Sequence, residues 1–233
     1  MILRKSEERG LAKIDWLESR HTFSFGDFHD PNFMGFHNLR VINDDIIAPG
    51  KGFGAHPHRN MEIVTVILKG ALKHQDSTGT ESVIKAGQIQ RMTAGAGIVH
   101  SEVNASDTEP VHLLQIWIEP NQRGLEPGYE ERFVPKMGDG VIDIATPDGR
   151  DGSLKIHQDA VIKYGAIKEG EELSLAPNSG RSIWFHLISG QLNLSGDAVT
   201  QNLSSGDSFG IESGESIMMA AANEATFIMF ELG

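Results

Sequence analysis

Ile67-Leu68-Lys69-Gly70-Ala71-Leu72 and, far along the chain, Leu187-Ile188-Ser189-Gly190-Gln191-Leu192 share one pattern: an apolar pair, a polar residue, a glycine and the start of a new segment. Each is followed by a polar turn, another apolar stretch, and a glycine with a polar neighbour, Gly87-Gln88 in the first case and Gly206-Asp207 in the second. Each then closes on an apolar segment, Leu113–Ile118 and Phe227–Phe230. Short runs of Val, Ile, Phe and Thr bounded by turn residues predict strands. They fall at Glu62–Lys69, Gly87–Thr93, His112–Ile118, Ser182–Ser189, Asp207–Ile211 and Thr226–Leu232. Ala12–Arg20 alone reads as a short helix. Many short strands and little helix predict an all-β sandwich, barrel or jelly roll, built as two copies of one β-unit.

The join between the copies is expected within about 120–150. That stretch packs turn signals closely: Asn121-Gln122-Arg123-Gly124, Glu126-Pro127-Gly128, Gly138-Asp139-Gly140 and Pro147-Asp148-Gly149. The expected division is an N-terminal domain over 1–125 and a C-terminal domain over 126–233.

Composition narrows the chemistry. A chain of 233 residues is long enough to bury a core without disulfides or a structural metal. It has no cysteine, which excludes disulfides, thiolate zinc sites, iron–sulfur clusters and cysteine nucleophiles. Any metal must be held by His, Asp or Glu. The net charge of −12, with basic residues scattered singly, argues against direct binding to nucleic acid. Apolar runs such as Ile63-Val64-Thr65-Val66-Ile67-Leu68 are far shorter than a membrane span. The N-terminus shows no signal-peptide pattern. A cytoplasmic monomer that binds no membrane is the expectation. No Gly-x-Ser-x-Gly, phosphate loop or dinucleotide fingerprint is present.

Eight of the ten histidines precede residue 113, and one group stands out: Gly50-x5-His56-Pro57-His58-x3-Glu62-x7-Gly70. Residues two apart on a strand point to one side, so His56 and His58 can face one point. Glu62 has the same parity. The second group is Gly87-x5-Thr93-Ala94-Gly95-Ala96-Gly97-x2-His100-Ser101-Glu102. His100 and Glu102 form another such pair. Two adjacent strands would then gather three imidazoles and one carboxylate, a set suited to first-row divalent metals. Four ligands leave an octahedral ion two open positions, an arrangement for catalysis rather than structure. His157 and His186 stand apart, so the second copy lacks a metal site by composition. His74 beside Asp76 reads as a hairpin-end residue, His112 as packed, and His37 as a residue that could line a cavity.

The two groups resemble the paired motifs of the cupin superfamily. The wider wording resembles the pirin family: Asp30-Pro31-Asn32-Phe33-Met34-Gly35-Phe36, Leu39-Arg40-Val41-Ile42-Asn43-Asp44-Asp45, Gly52-Phe53-Gly54-Ala55-His56-Pro57-His58, His74-Gln75-Asp76-Ser77 and the run Thr93 to Glu102. The resemblance covers about residues 20–120. Against ordinary cupins, Thr93 replaces a frequent proline, and the stretches from Glu62 to Gly70 and from Gly95 to His100 are longer. The resemblance implies a bicupin, two jelly-roll barrels facing each other, with one metal in the N-terminal barrel. The implied ion is Fe(II), with Ni, Cu, Mn, Co or Zn as other candidates. The implied ligands are His56, His58, His100 and Glu102, whereas ordinary cupins would use the equivalent of Glu62. The pirin wording favours Glu102, leaving Glu62 as a hydrogen-bonded carboxylate near the site.

Two functions follow from the resemblance. One is a quercetinase-like dioxygenase that opens a flavonol such as quercetin with dioxygen and releases carbon monoxide, with Glu102 also acting as base. Phe53, Phe36, Met92 and Phe33 are candidates for its apolar wall. The other is a regulatory protein that binds a protein partner according to the metal's state.

Overall fold

The computed structural model describes residues 1–134, 140–196 and 199–233. In chain order the strands are β1 Ile2–Arg4, β2 Gly10–Ile14, β3 Leu17–His21, β4 Leu39–Ile47, β5 Gly52–His58, β6 Glu62–Lys69, β7 Ala71–Asp76, β8 Glu81–Lys85, β9 Gln88–Thr93, β10 Ile98–Asn104 and β11 Val111–Ile118. They continue as β12 Gly128–Phe133, β13 Gly140–Thr146, β14 Leu154–Lys155, β15 Ala160–Ile167, β16 Glu172–Leu175, β17 Ser182–Ser189, β18 Gln191–Gly196, β19 Val199–Ser204, β20 Ser208–Ile211, β21 Ile217–Ala221 and β22 Ala225–Leu232. Among the described residues the only helical pieces are two short 3-10 turns, Ser6–Glu8 and Arg150–Gly152.

Two compact units result. One holds Gly10–Pro135 and Pro147–Gln158; the other holds Met1–Arg9, Lys136–Thr146 and Asp159–Gly233. The first unit has a large antiparallel sheet in the order β12-β9-β6-β11-β4-β3-β2 and a smaller one in the order β5-β10-β7-β8. Its sheets pack face to face through Ile47, Ile67, Leu72, Ile84, Val111 and Leu113. The second unit repeats the plan: β1-β20-β17-β22-β15-β13 and β16-β21-β18-β19. Its core joins Phe185, Phe209 and Phe227 to Leu192, Leu194, Leu203 and Met219.

The glycines that betrayed the repeat sit where β6 passes to β7 and β17 to β18. Gly70 has φ 79° and Gly190 φ 95°, in the region that side chains disfavour. A Cβ at either would lie under 3 Å from a carbonyl oxygen, that of Pro110 or of Glu224. The chain must leave one sheet for the other there, against the incoming next strand, and only glycine fits.

Three readings are corrected. Ala12–Arg20 is not a helix but most of a hairpin: β2 pairs β3, Ala12 opposite Ser19 and Lys13 opposite Glu18. Docking of β3 on β4 supplies ladder hydrogen bonds that local helix preference cannot match. The join is not all loop either. Its turns at Gly124 and Gly149 have positive φ, but β12 adds to β9 and β13 to β15. The turn read at Gly138-Asp139-Gly140 lies, in its first two residues, outside the described residues. Finally, Met1–Arg9 belongs with the C-terminal strands. Ile2 pairs with Gly210, while Lys5 Nζ lies 2.9 Å from Asp207 Oδ2 and the Ser6 amide donates to Asp207 Oδ1 at 2.7 Å. A three-residue strand supplied from so far away leaves no local signature.

Candidate metal centre

Strands β5 and β10 run antiparallel as neighbours, with His100 opposite His56 and Ile98 opposite His58. Close backbone approach lets them do so. A Cβ at Gly52 would sit 2.2 Å from the Glu102 carbonyl oxygen, and the pairing shifts register between His100 and Glu102. The bulge re-aims the residues after His100.

His56, His58 and His100 each bring a ring nitrogen within 4.8 Å of the others. Their ring centroids are 4.5–4.8 Å apart. His56 Nδ1 donates to the Gly54 carbonyl at 2.7 Å, which leaves Nε2 as the free lone pair. Burial, helped by neighbouring His56, lowers His58 to about 4. Burial, with His56 and His58 adding to it, lowers His100 to about 3. Both are therefore neutral imidazoles at pH 7, the form that ligates metal. Both ring nitrogens of His100 are buried without a hydrogen-bond partner. Buried polar atoms are normally satisfied, so this residue fits a metal ligand.

Glu102 is 3% exposed. Gln90 Nε2 donates to its Oε1 at 2.8 Å and Gln115 Nε2 to its Oε2 at 2.7 Å. The Thr65 hydroxyl ties the frame together by donating to Gln115 Oε1 at 2.7 Å. Burial pushes the Glu102 carboxyl up to about 7, against the pull of these donors. Glu102 groups with His100 and with His74, its ligand atom within 4.8 Å of theirs.

A cavity of about 760 Å³ reaches His56, His58 and Glu102. Its apolar wall is Phe53, Phe25, Phe28, Trp117 and Leu17, and its polar bank is Ser19, His21, Asn43, Asp45 and Gln115. Trp117 stands edge-on to His58, centroids 4.9 Å apart. Of the aromatic wall expected from sequence, Phe53 is present. Met92 instead packs with Ile63, Ala94 and Ile98, Phe36 is buried beside His37, and Phe33 is not on the lining.

The remaining acids and histidines sort differently from their sequence reading. Glu62 is fully buried, accepts from the Thr93 hydroxyl at 3.0 Å, and lies 3.4 Å from His157 Nδ1. His157 is thus not isolated. His112 is half-buried, with Nε2 2.6 Å from Asp44 Oδ1 on the next strand. His37, at φ 53°, is not on the cavity lining. His186 bonds Ser208 in the second unit. His74 is the main miss: far from being a surface residue at a hairpin end, it is wholly buried and faces His100 at 5.4 Å between ring centroids. Its signal was in the sequence, since His74 and Asp76 are a third pair two residues apart. The described residues contain no helix long and apolar enough to cross a membrane.

A family model for Pirin matches residues 3–118, and one for the quercetinase C-terminal cupin domain matches residues 143–232. The chain is 44% identical to the quercetin 2,3-dioxygenase of Escherichia coli strain K12 over 232 residues, covering all of this chain and 98% of that one. It superposes with a TM-score of 0.93 on the bacterial pirin YhhW of Escherichia coli, solved in complex with nickel(II), at 43% identity and coverage of 100% and 99%. A quercetin 2,3-dioxygenase from Acinetobacter baumannii shares the fold at 19% identity and a TM-score of 0.80, over 99% of this chain and 85% of that one.

Proposed function

The chain belongs to the pirin family, and on that premise we propose that it is a metal-dependent dioxygenase that opens the ring of a flavonol such as quercetin, consuming dioxygen and releasing carbon monoxide. The observation that carries this reading is an aromatic-walled cavity that reaches His56, His58 and Glu102, with His100 grouped with the two histidines on one side and with Glu102 on the other. The name and the nickel complex of its relatives support it. One divalent ion, Fe(II) in our assignment, would be held by His56, His58, His100 and Glu102. When bound, the ion would supply Lewis acidity toward a substrate hydroxyl and the redox chemistry that dioxygen requires.

The protein's own groups do the rest. Phe53, Phe25, Phe28 and Trp117 sandwich the flat rings and keep water out. Glu102, on the cavity lining, takes the hydroxyl proton. Gln90 and Gln115 hold that carboxylate from both oxygens, so it meets the substrate in one orientation. The Gly54 carbonyl fixes the His56 ring. A net charge of −12 disfavours an anionic substrate, so the flavonol enters neutral and ionises in the cavity.

The test is anaerobic reconstitution with Fe(II), followed by oxygen-electrode traces with quercetin for the intact protein, His58→Ala and free iron. Uptake by the intact protein alone is the expected result. Equal rates in all three would remove the reaction from this protein.

A further inference from the structure

We propose that the first unit holds a second, weaker cation position, formed by His74, His100 and Glu102, on the inner side of the three-imidazole group. The inference rests on the reading of this chain as a metalloprotein, but flavonol turnover plays no part in it.

Three observations converge on this position. First, the three residues are all buried, and their ligand atoms lie within 4.8 Å of one another. The fold places them there. On β7 and β10, Glu102 is directly opposite His74 and His100 is directly opposite Asp76, so all four side chains share one face.

Second, His74 is oriented as ligating histidines are. Its Nε2 donates to Asp76 Oδ2 at 3.0 Å, and Asp76 is itself held by the Thr78 hydroxyl and by the amides of Thr78 and Thr80. A carboxylate on the far nitrogen fixes the tautomer and raises the basicity of the near one. The near nitrogen, Nδ1, is buried and has no hydrogen-bond partner. Tyr129, stacked on the ring at 4.7 Å, prevents it from turning away. A histidine that merely filled the core would not leave its one lone pair unmet.

Third, His100 has two nitrogens, both buried and both partnerless. One metal uses only one of them. For an ion on the inner side to use the other, His100 must release its N–H proton to solvent and bridge as an imidazolate, with Glu102 shared between the two positions as well. Sharing makes the inner position the weaker, because two dications then repel across one ring. Nitrogen and carboxylate donors favour Zn(II), Ni(II) or Co(II) there over Ca(II) or Mg(II).

The test uses Co(II), whose visible absorption reports its ligands, on metal-free full-length chain. The variant His56→Gln/His58→Gln removes two outer imidazoles while keeping their bulk. It is expected to bind one Co(II) per chain by equilibrium dialysis, and adding His74→Ala should weaken that binding by more than about 100-fold, beyond the usual loss of a supporting residue. No Co(II) in the double variant, or Co(II) unaffected by His74→Ala, would overturn the inner position. Should the double variant not fold by circular dichroism, the wild-type chain carries the test at excess Co(II). A second, weaker equivalent should appear and vanish in His74→Ala, and a single equivalent in both proteins would refute it. The two readings separate cleanly: a wild-type chain that binds no Co(II) at all ends the metalloprotein reading, whereas one that binds a single ion lost with His56 and His58 ends only this one.

Discussion

Thr65 in the first unit pairs with Gln90 on one side and Gln115 on the other; Phe185 in the second pairs with Phe209 and Met229. Thr65 stands five residues before Gly70 and Phe185 five before Gly190, so these are the same row of the same sheet. The correspondence continues in the smaller sheet. Glu102 is opposite His74 in one unit, and Met219 is opposite Leu194 in the other. At these positions the first unit has a donor or a ligand and the second an apolar side chain. Phe209, in the place of Gln90, stacks on Phe185 at 5.0 Å; Met229 stands in the place of Gln115, and Phe227 stacks on the other side of Phe185 at 4.7 Å. One scaffold has been filled two ways. The apolar filling adds about 1.5–3 kcal/mol for each large side chain buried. The polar filling nets about 1 kcal/mol per hydrogen bond and carries the burden of a buried acid. At these positions the second unit spends its interior on apolar packing and the first on a polar frame.

The largest effect that would break this contrast is on metal content. His100→Ala should leave the chain with essentially no metal after Fe(II) or Ni(II) reconstitution, because His100 belongs to both groups of ligands. His186→Ala, in the second unit, should leave metal content unchanged. Elemental analysis of the two purified variants decides it, and metal retained by His100→Ala would sink the assignment.

Next comes stability. Phe185 is fully buried between two other rings, and Phe185→Ala should cost about 3–5 kcal/mol, the range for a large aromatic removed from a core. Denaturant melts followed through Trp184 in the second unit report this loss. The metal bound per folded chain should stay at the wild-type level. A Phe185→Ala protein that melts like wild type would mean that this aromatic packing does not stabilise the second unit.

The contrast also explains how much could be read from residues alone. Strands β6 and β17 were legible to their ends, since five apolar residues in six, ending just before a glycine, leave little choice. The three-histidine group was legible because alternation on a strand is a rigid rule. Glu102 and Glu62 could not be separated by parity, and burial alone does not separate them either, since both are sealed from water. Their partners differ: Glu102 is framed by amides beside His100, and Glu62 by Thr93 and His157. The cavity wall was misread because Phe25, Phe28 and Trp117 come from segments remote from the motif. His74 was passed over because its pair stands just before the turn signal Thr78-Gly79, and cross-strand placement opposite Glu102 is a tertiary fact.

A smaller effect distinguishes the two carboxylates. Glu102→Gln should weaken Fe(II) or Ni(II) binding by about 100-fold, and Glu62→Gln by about 10-fold or less, since loss of a supporting residue typically costs about 10–100-fold. Competitive titration against a chelator measures both. The reverse order would assign the metal's carboxylate to Glu62.

The smallest effect is on the pH dependence of the metal-free protein. His58 and His100 are lowered from 6.5 to about 4 and about 3, so below pH 6.5 the unfolded chain binds two protons that the folded one refuses. These residues make stability rise with pH up to about 6.5 and drain it as the pH falls toward 4. Glu102 acts in the opposite sense. Raised from 4.5 to about 7, it holds a proton in the folded state that the unfolded chain has released, so its share of stability is present at low pH and lost as the pH rises toward 7. Between pH 4.5 and 6.5 these three groups leave a net slope of about one proton in favour of higher pH. Glu102→Gln removes the opposing member, and the slope should steepen to about two. Met219→Leu, at the matching position of the second unit, should not change it. Urea midpoints of the metal-free proteins at pH 5 and 6.5, read through Trp16 and Trp117 of the first unit in a Trp184→Phe background, provide the measurement. Parallel slopes for wild type and Glu102→Gln would show that Glu102 is ionised across this range, and that the amide frame around it outweighs its burial.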